Sequence, residues 1–419
     1  MLVGLTDDAD AGADAAESET DANSPGATAR NDPRMPNADQ SVNSSRGNPA
    51  RATPPALSNR APSGIPMLPP PPLIQSGARN VPTPGNGGSG GPASTPVQVI
   101  VSTQQRSFIY YRGPATYVRA DAFAPRALEQ LPRPASDNGR GLHWFPTTQQ
   151  TRAVVDRFVP ELLALRIRWL VILQGLNDWD IIANDYLIDQ LNRAGIVPII
   201  RIEGQVGKMD WARVGWVVAR YRERGARYFQ IFNEPNLKEE WSDPGPRTPE
   251  RFAAFWAHGA QVVAANGGLP GLAPMSPQGD DSDLAFFRAA LVELAAQGRW
   301  DLINLMWISI HNYGGLDANG FYRYRRYDAV VREVFGATQS IPMLATEAGL
   351  ENADATATMI AGAYRFIERE REPYLLVYAP WLIGNFAGGG HDPRWEPFAW
   401  FTGSPGAPAA RSVVERAKP

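Results

Sequence analysis

The chain has 419 residues, 43% of them hydrophobic, and a formal net charge of −3, which is enough to build one large core or two ordinary domains. A charge this close to neutral gives no electrostatic reason to expect nucleic acid or an anionic membrane surface as a partner. The absence of cysteine excludes a disulfide framework, a thiol nucleophile and a thiolate metal site. No apolar run reaches the roughly 18 to 20 residues needed to span a bilayer. No basic stretch followed by a long apolar run opens the chain, so no secretory signal peptide is read. Composition fixes neither the compartment nor the oligomeric state.

Residues 1–98 read as a disordered leader. They are rich in Asp, Ala, Ser, Asn, Gly and Pro, and such a segment buries too little apolar surface to offset its conformational entropy. Its start is acidic, Pro69–Pro72 suits a stiff polyproline segment, and NGGSGG at 86–91 suits a flexible one. The composition changes at Val97. VQVIVS (97–102) and SFIYYRGPATYVRADAF (107–123) have strand-like content, and residues 99–138 are expected to form an ordered extension packing on the larger domain C-terminal to them.

From residue 139 onward, short apolar runs alternate with amphipathic helical stretches. The strand candidates are GLHWF (141–145), IRWLVIL (167–173), IVPIIRI (196–202), YFQIFNE (228–234), GLPGLAP (268–274), INLMWISIH (303–311), IPMLATE (341–347) and YLLVYAPWL (374–382). Helices are predicted near 151–165, 180–194, 211–224, 248–266, 281–298, 322–335 and 353–371, with a weaker one over 405–417. Thr248-Pro249-Glu250 marks a helix start by its cap oxygen and its proline at the first helical position. After Asp281, Leu284, Phe287, Leu291 and Leu294 fall on one side and should face the sheet. Continuously apolar strands are expected of a parallel sheet covered on both faces. Eight such units predict an α/β fold of the (β/α)8 barrel type spanning 139–419. The fifth strand, short and rich in Gly and Pro, is placed mainly by its spacing.

Barrel chemistry sits where the strands end. Those ends carry His143 and Trp144; Gln174, Asn177 and Trp179; Arg201 and Glu203; Asn233, Glu234 and Asn236; Ser276 and Gln278; His311 and Tyr313; Glu347; and Trp381 and Asn385. Glu234 and Glu347 close strongly apolar strands, the fourth and seventh, on nearly opposite sides of the ring. A carboxylate facing the axial cavity is costly unless paired or used. Two carboxyls facing one scissile bond are what glycoside hydrolysis needs.

IFNEPN (231–236) and LATEAG (344–349) resemble the acid/base and nucleophile motifs of the superfamily of retaining (β/α)8 glycoside hydrolases. HNY at 311–313 and Trp381 resemble that superfamily too, and the resemblance covers about residues 139–400. It implies hydrolysis of O-glycosidic bonds by double displacement. Glu234 is then general acid and later base, and Glu347 the nucleophile. It further implies that Asn233 holds the sugar 2-hydroxyl, that Tyr313 orients the nucleophile, that His311 neighbours substrate or acid/base, and that Trp381 is a platform under the sugar. Arg201 lies near the usual support for the catalytic cluster. The superfamily's arginine is often on the second strand, where Arg166 and Arg168 fall too early to reach the site. Trp144 and Trp381 are expected to line a sugar cleft, and the substrate reads as a β-linked glycan or glycoside.

Structural alternatives exist for the same residues. Glu234 suits a helix N-terminal acid before Pro235, Glu347 a cap of the helix starting near 353, and His311 a structural histidine. Trp307 falls mid-strand and reads as core. The histidines at 143, 258, 311 and 391 have no ligand spacing on one helix, so no metal is expected, and no phosphate or dinucleotide loop suggests a cofactor. An inactive carbohydrate-binding barrel would keep the aromatics and lose the acids, and both acids are present. An aldolase or metal-dependent hydrolase would want a lysine or a His/Asp cluster at a strand end, and no strand end carries a lysine.

Overall fold

The computed structural model describes residues 98–103, 106–111 and 120–419, apart from 243 and 387–391. The expected leader, 1–98, lies almost wholly outside the described residues, as does His391. The described chain opens with an antiparallel hairpin of β1 (Gln98–Thr103) and β2 (Arg106–Tyr111). Eight parallel strands come next: β3 (Gly141–His143), β4 (Trp169–Gln174), β5 (Val197–Ile202), β6 (Tyr228–Ile231), β7 (Leu269–Leu272), β8 (Trp307–Tyr313), β9 (Met343–Gly349) and β10 (Leu375–Tyr378). They pair in chain order. The ring closes where Arg140 bridges Tyr378, the Tyr378 amide donates to the Gly139 carbonyl at 3.1 Å and the His143 amide to the Pro380 carbonyl at 2.9 Å. The chain is thus a (β/α)8 barrel.

Helices α1 (Arg152–Ala164), α2 (Asp178–Arg193), α3 (Trp211–Glu223), α4 (Pro249–Ala265), α5 (Asp283–Ala296), the single turn α6 (Trp300–Ile303), α7 (Tyr324–Phe335) and α8 (Ala353–Arg369) lie between the strands. Several helix starts are fixed by capping side chains. Thr151, Asn177, Asp210, Thr248 and Asn352 each accept a hydrogen bond from an otherwise orphaned first-turn amide. Along α5, Phe287, Leu291 and Leu294 are buried and Leu284 half-buried, as the stripe requires.

Alternation along the strands sorts the barrel interior into layers. The lowest is apolar: Trp169, Tyr228, Trp307, Leu344 and Leu376 share one buried cluster. Residues 120–138 pack against the same end. Leu131 joins that cluster, the Tyr228 hydroxyl donates to the Pro132 carbonyl at 2.7 Å, and Trp169 Nε1 donates to Asp137 Oδ1 at 2.8 Å. Above lies a small polar layer, where the Ser309 hydroxyl donates to Gln230 Oε1 at 2.9 Å and lies 2.6 Å from the Thr346 hydroxyl. The next inward residues up the strands form the site.

The weak fifth strand has a steric explanation. A Cβ on Gly271 would come 2.4 Å from the Trp307 ring, so glycine makes room for that buried indole, which itself donates to the Leu269 carbonyl at 3.0 Å. The end of the chain differs from expectation. In place of one helix over 405–417 there is a hairpin of β11 (Phe401–Ser404) and β12 (Ala407–Ala410), then α9 (Ser412–Ala417). Gly403, on β11 at φ 91°, takes the positive-φ conformation that a glycine supplies without strain beside this short hairpin.

Candidate active site

Two pairs of adjacent strands, β5–β6 and β8–β9, separated by β7, deliver the acids and their partners to one end of the barrel. Arg201 is an inward residue near the end of β5, and Glu347 is an inward residue of β9. Between β8 and β9 the register shifts after Ile310, so that Ile310 faces Ala345 while His311 faces Glu347. That irregularity skips Thr346 and sets His311 beside the carboxylate. Tyr313, two residues on, points to the same side.

Glu347 is buried, 8% exposed, and both of its oxygens are engaged. The Arg201 guanidinium (Nη1) donates to Oε1, and the Tyr313 hydroxyl donates to Oε2 at 2.7 Å. Burial by itself would raise the Glu347 carboxyl. The charges facing it, His311 and Arg201 foremost, and the Tyr313 hydrogen bond overcome this and hold it well below the ordinary carboxylate range. His143 adds little positive charge, because complete burial drives its imidazole down to about 3 and keeps it neutral. Its Nδ1 lies 3.0 Å from the Trp144 carbonyl, which fixes the proton there. Arg201 also pairs with Glu203 through Nε at 3.2 Å, so one guanidinium serves two carboxylates. Burial and the adjoining Glu347 push the Tyr313 phenol well up, leaving it a neutral donor.

Glu234 follows β6 on a turn of unusual conformation. Phe232 and Glu234 both have positive φ, 64° and 29°, a region that costs a side-chain-bearing residue energy and marks an over-determined site. Gln230 Nε2 holds the Phe232 carbonyl at 3.1 Å, and the Leu237 amide donates to the Glu234 carbonyl at 2.8 Å. Glu234 Oε1 lies 2.7 Å from His311 Nδ1, and Glu347 Oε2 lies 3.6 Å from the same nitrogen. The facing oxygens of the two glutamates are therefore no farther apart than the sum of those distances.

Asn233 is half-buried, and its Nδ2 donates to Glu240 Oε1 at 3.0 Å. Glu240 comes from the 3-10 turn Lys238–Glu240 and is a fourth carboxyl at the site, one that sequence reasoning missed. Burial raises it to about 7, against the lowering effect of the Asn233 hydrogen bond and of Arg201. The available signal was the Lys-Glu-Glu-Trp string directly after the acid motif.

Trp381 is buried to 6% exposure and meets His143 edge-on, ring centres 4.1 Å apart. Beyond it stand Trp395 at 5.4 Å and then Phe398, which also meets Tyr313 at 6.3 Å. This wall of half-buried Trp395 and Phe398 comes from the 3-10 turn Pro393–Phe398, which carries no periodic signal in the sequence. Trp144 stands apart from the cluster. It is fully buried, edge-on to Phe145 at 4.9 Å and to Phe158 at 6.4 Å, so it belongs to the core behind the sheet and does not line a cleft. The strand alternation explains it, since His143 points inward and its neighbour must point out. Asn236 is structural as well, tying the Ser276 and Asp281 carbonyls at 2.8 and 3.0 Å.

Among the described residues no group of His, Cys, Asp or Glu is arranged to hold a metal ion, and no helix is long and apolar enough to cross a membrane. No protein-family model and no curated protein matches the chain. Among solved structures it is similar to a GH128 (subgroup II) endo-β-1,3-glucanase from Sorangium cellulosum, at 18% identity and a TM-score of 0.47, over 67% of this chain and 98% of that one. It is similar to an endo-β-1,4-glucanase from Xanthomonas axonopodis pv. citri at 11% identity and a TM-score of 0.43, over 67% and 98%. It is also similar to an old yellow enzyme homologue from Zymomonas mobilis at 10% identity and a TM-score of 0.38, over 62% and 90%. Likenesses of this strength do not select an activity.

Proposed function

We propose that the chain is a retaining glycoside hydrolase acting on a β-linked glycan or glycoside, with residues 139–419 as its catalytic unit. The observation that carries this reading is the unequal treatment of two facing glutamates. Glu347 is clamped by Arg201 and Tyr313 and held ionised, as an attacking carboxylate requires. Glu234 touches the imidazole of His311 and, among the described residues, pairs with no arginine. Both carboxylates reach the same His311 nitrogen, at 2.7 and 3.6 Å, so they face one small gap, as a pair acting on one glycosidic bond must.

In this reading Glu347 attacks the anomeric carbon while Glu234 gives its proton to the departing oxygen. The resulting glycosyl ester has lost the charge that Arg201 and Tyr313 held. Glu234, now a carboxylate, takes a proton from water as that water attacks the same carbon, and Glu347 is released. His311 keeps Glu234 aimed across the gap, Asn233 takes a sugar hydroxyl, and Trp381 with Trp395 and Phe398 forms the aromatic side of the cleft.

The test uses aryl glycosides of glucose, xylose, mannose, galactose and arabinose. Glu347→Ala should abolish turnover of whichever is hydrolysed. Glu234→Ala should keep glycosylation on substrates with a good leaving group, and azide should restore turnover with a glycosyl azide of retained configuration. Azide rescue of Glu347→Ala with an inverted product would reverse the roles. Silence of the parent on every glycoside and glycan would favour an inactive carbohydrate-binding barrel.

A further inference from the structure

We propose that Glu240 is a positioning residue: it holds Asn233, and through Asn233 the turn that aims Glu234 at His311. The inference rests on the glycosidase reading for its kinetic consequence, but the contact itself stands on geometry. The turn runs through two positive-φ residues, Phe232 and Glu234, with Asn233 between them. A backbone in that conformation relaxes unless its surroundings hold it. Among the described residues Asn233 makes one side-chain hydrogen bond, Nδ2 to Glu240 Oε1 at 3.0 Å, and its Oδ1 is buried without a partner among them. Loss of the Glu240 acceptor would leave the whole amide unheld.

Glu240 is itself fixed from two sides. Its carbonyl accepts from the Val206 amide at 2.8 Å, and the Ser242 amide returns to the Val206 carbonyl at 3.1 Å. Next to it, Trp241 Nε1 donates to the Pro235 carbonyl at 2.8 Å, on the other side of Glu234. Segment 238–242 therefore lies across the acid/base turn as a brace anchored on the loop after β5. The charged groups facing the Glu240 carboxyl are Arg201 on β5, Glu203 just beyond it and Glu234 itself. Arg201 is already shared between Glu347 and Glu203. Asn233 is thus the partner that Glu240 has for itself, and a carboxyl raised to about 7 at this place changes its grip on that amide near neutral pH.

The test compares Glu240→Met, which keeps the length and removes the acceptor, with Glu240→Gln, which keeps an acceptor. On glycosides with poor leaving groups, Glu240→Met should lower kcat about tenfold or more, the scale of a lost hydrogen bond to a charged group. On activated aryl glycosides, which need little protonation, the loss should shrink to about threefold or less. Glu240→Gln should recover most of the loss. In the full chain labelled with 15N-asparagine, the Asn233 side-chain amide, identified by its loss in Asn233→Ser, should shift with a midpoint near pH 7 in the parent and stay fixed in Glu240→Gln. Equal losses on both substrate classes, or an Asn233 amide that moves identically in both proteins, would overturn the proposal. Glu234→Ala and Glu347→Ala run alongside. If they too leave turnover unchanged, the glycosidase reading fails, and the amide titration, which needs no substrate, still judges the contact.

Discussion

Tyr313 and Glu347 are joined by a 2.7 Å hydrogen bond across the β8–β9 ladder, on the opposite carboxylate oxygen from Arg201. The phenol is a neutral donor to an ionised acceptor, so it favours the charged form of Glu347. Tyr313→Phe should leave the fold intact and lower kcat by roughly 10- to 100-fold, the worth of one charge-assisted hydrogen bond. Removing a contact that lowers the Glu347 pKa raises that pKa. The acid limb of the kcat/KM profile should therefore move to higher pH. An unmoved limb would show that Tyr313 does not tune the nucleophile.

Arg201 should matter for stability as much as for turnover. Arg201→Met strands Glu347 in a buried site without its cation, a change of about 3–5 kcal/mol in comparable pairs. In the parent, the depressed Glu347 pKa contributes stability present above the unfolded carboxylate range and lost as pH falls through the folded value. The deficit of Arg201→Met should accordingly be large at pH 7 and shrink toward pH 4. Denaturant unfolding at the two pH values measures it, and a deficit independent of pH would point to lost packing instead.

The two tryptophan environments predict opposite phenotypes. Trp144→Ala opens a cavity in the core and should cost about 3–5 kcal/mol without a specific effect on ligand affinity per folded molecule. Trp395→Ala, from a half-buried ring beside Trp381, should weaken glycan binding in calorimetry while leaving the unfolding midpoint within about 1 kcal/mol of the parent. Matching destabilisation by both would remove Trp395 from the cleft.

On the proposed glycosidase reading, charge at the site restricts which sugar can bind. Glu347, Glu234, Glu203 and Glu240 gather around a single arginine, and His143 is held neutral. A substrate with its own carboxylate or sulfate meets like charge, which costs several kcal/mol when desolvated. An aryl glucuronide should be hydrolysed at least about tenfold less efficiently than the matching glucoside, with the gap narrowing in high salt. A preference for the acidic sugar would contradict this arrangement.

The barrel was legible in the sequence because buried parallel strands are continuously apolar, and each of the eight runs overlaps an observed strand, although the 303–311 run begins on the last residue of α6 and becomes strand only at Trp307. The acids were legible because a glutamate ending such a run has few structural excuses. Local periodicity could not reveal what depends on two segments at once. Glu240 looks like any acidic loop residue until the loop after β5 folds it back over Asn233. The Trp395–Phe398 wall is likewise invisible without the turn that brings it to Trp381. The misplacement of Trp144 has a simpler origin: at a strand end, one residue of register decides between cavity and core, and the inward place belongs to His143.

The same His143 also sits at the joint that turns the sheet into a hoop. The clasp consists of a three-residue β3 and a four-residue β10, linked by the Arg140–Tyr378 bridge and by backbone bonds through Gly139 and His143. Such a short joint, like the two-residue β7–β8 pairing, is held by few backbone bonds, and segments so held open locally at lower free energy than long ladders. Its opening displaces the His143 ring from Trp381, 4.1 Å away, while the long β4–β5 and β8–β9 ladders remain closed. On the proposed glycosidase reading, turnover is therefore expected to fall at a lower temperature than the far-UV signal of the barrel, because the His143–Trp381 contact lies at that closure.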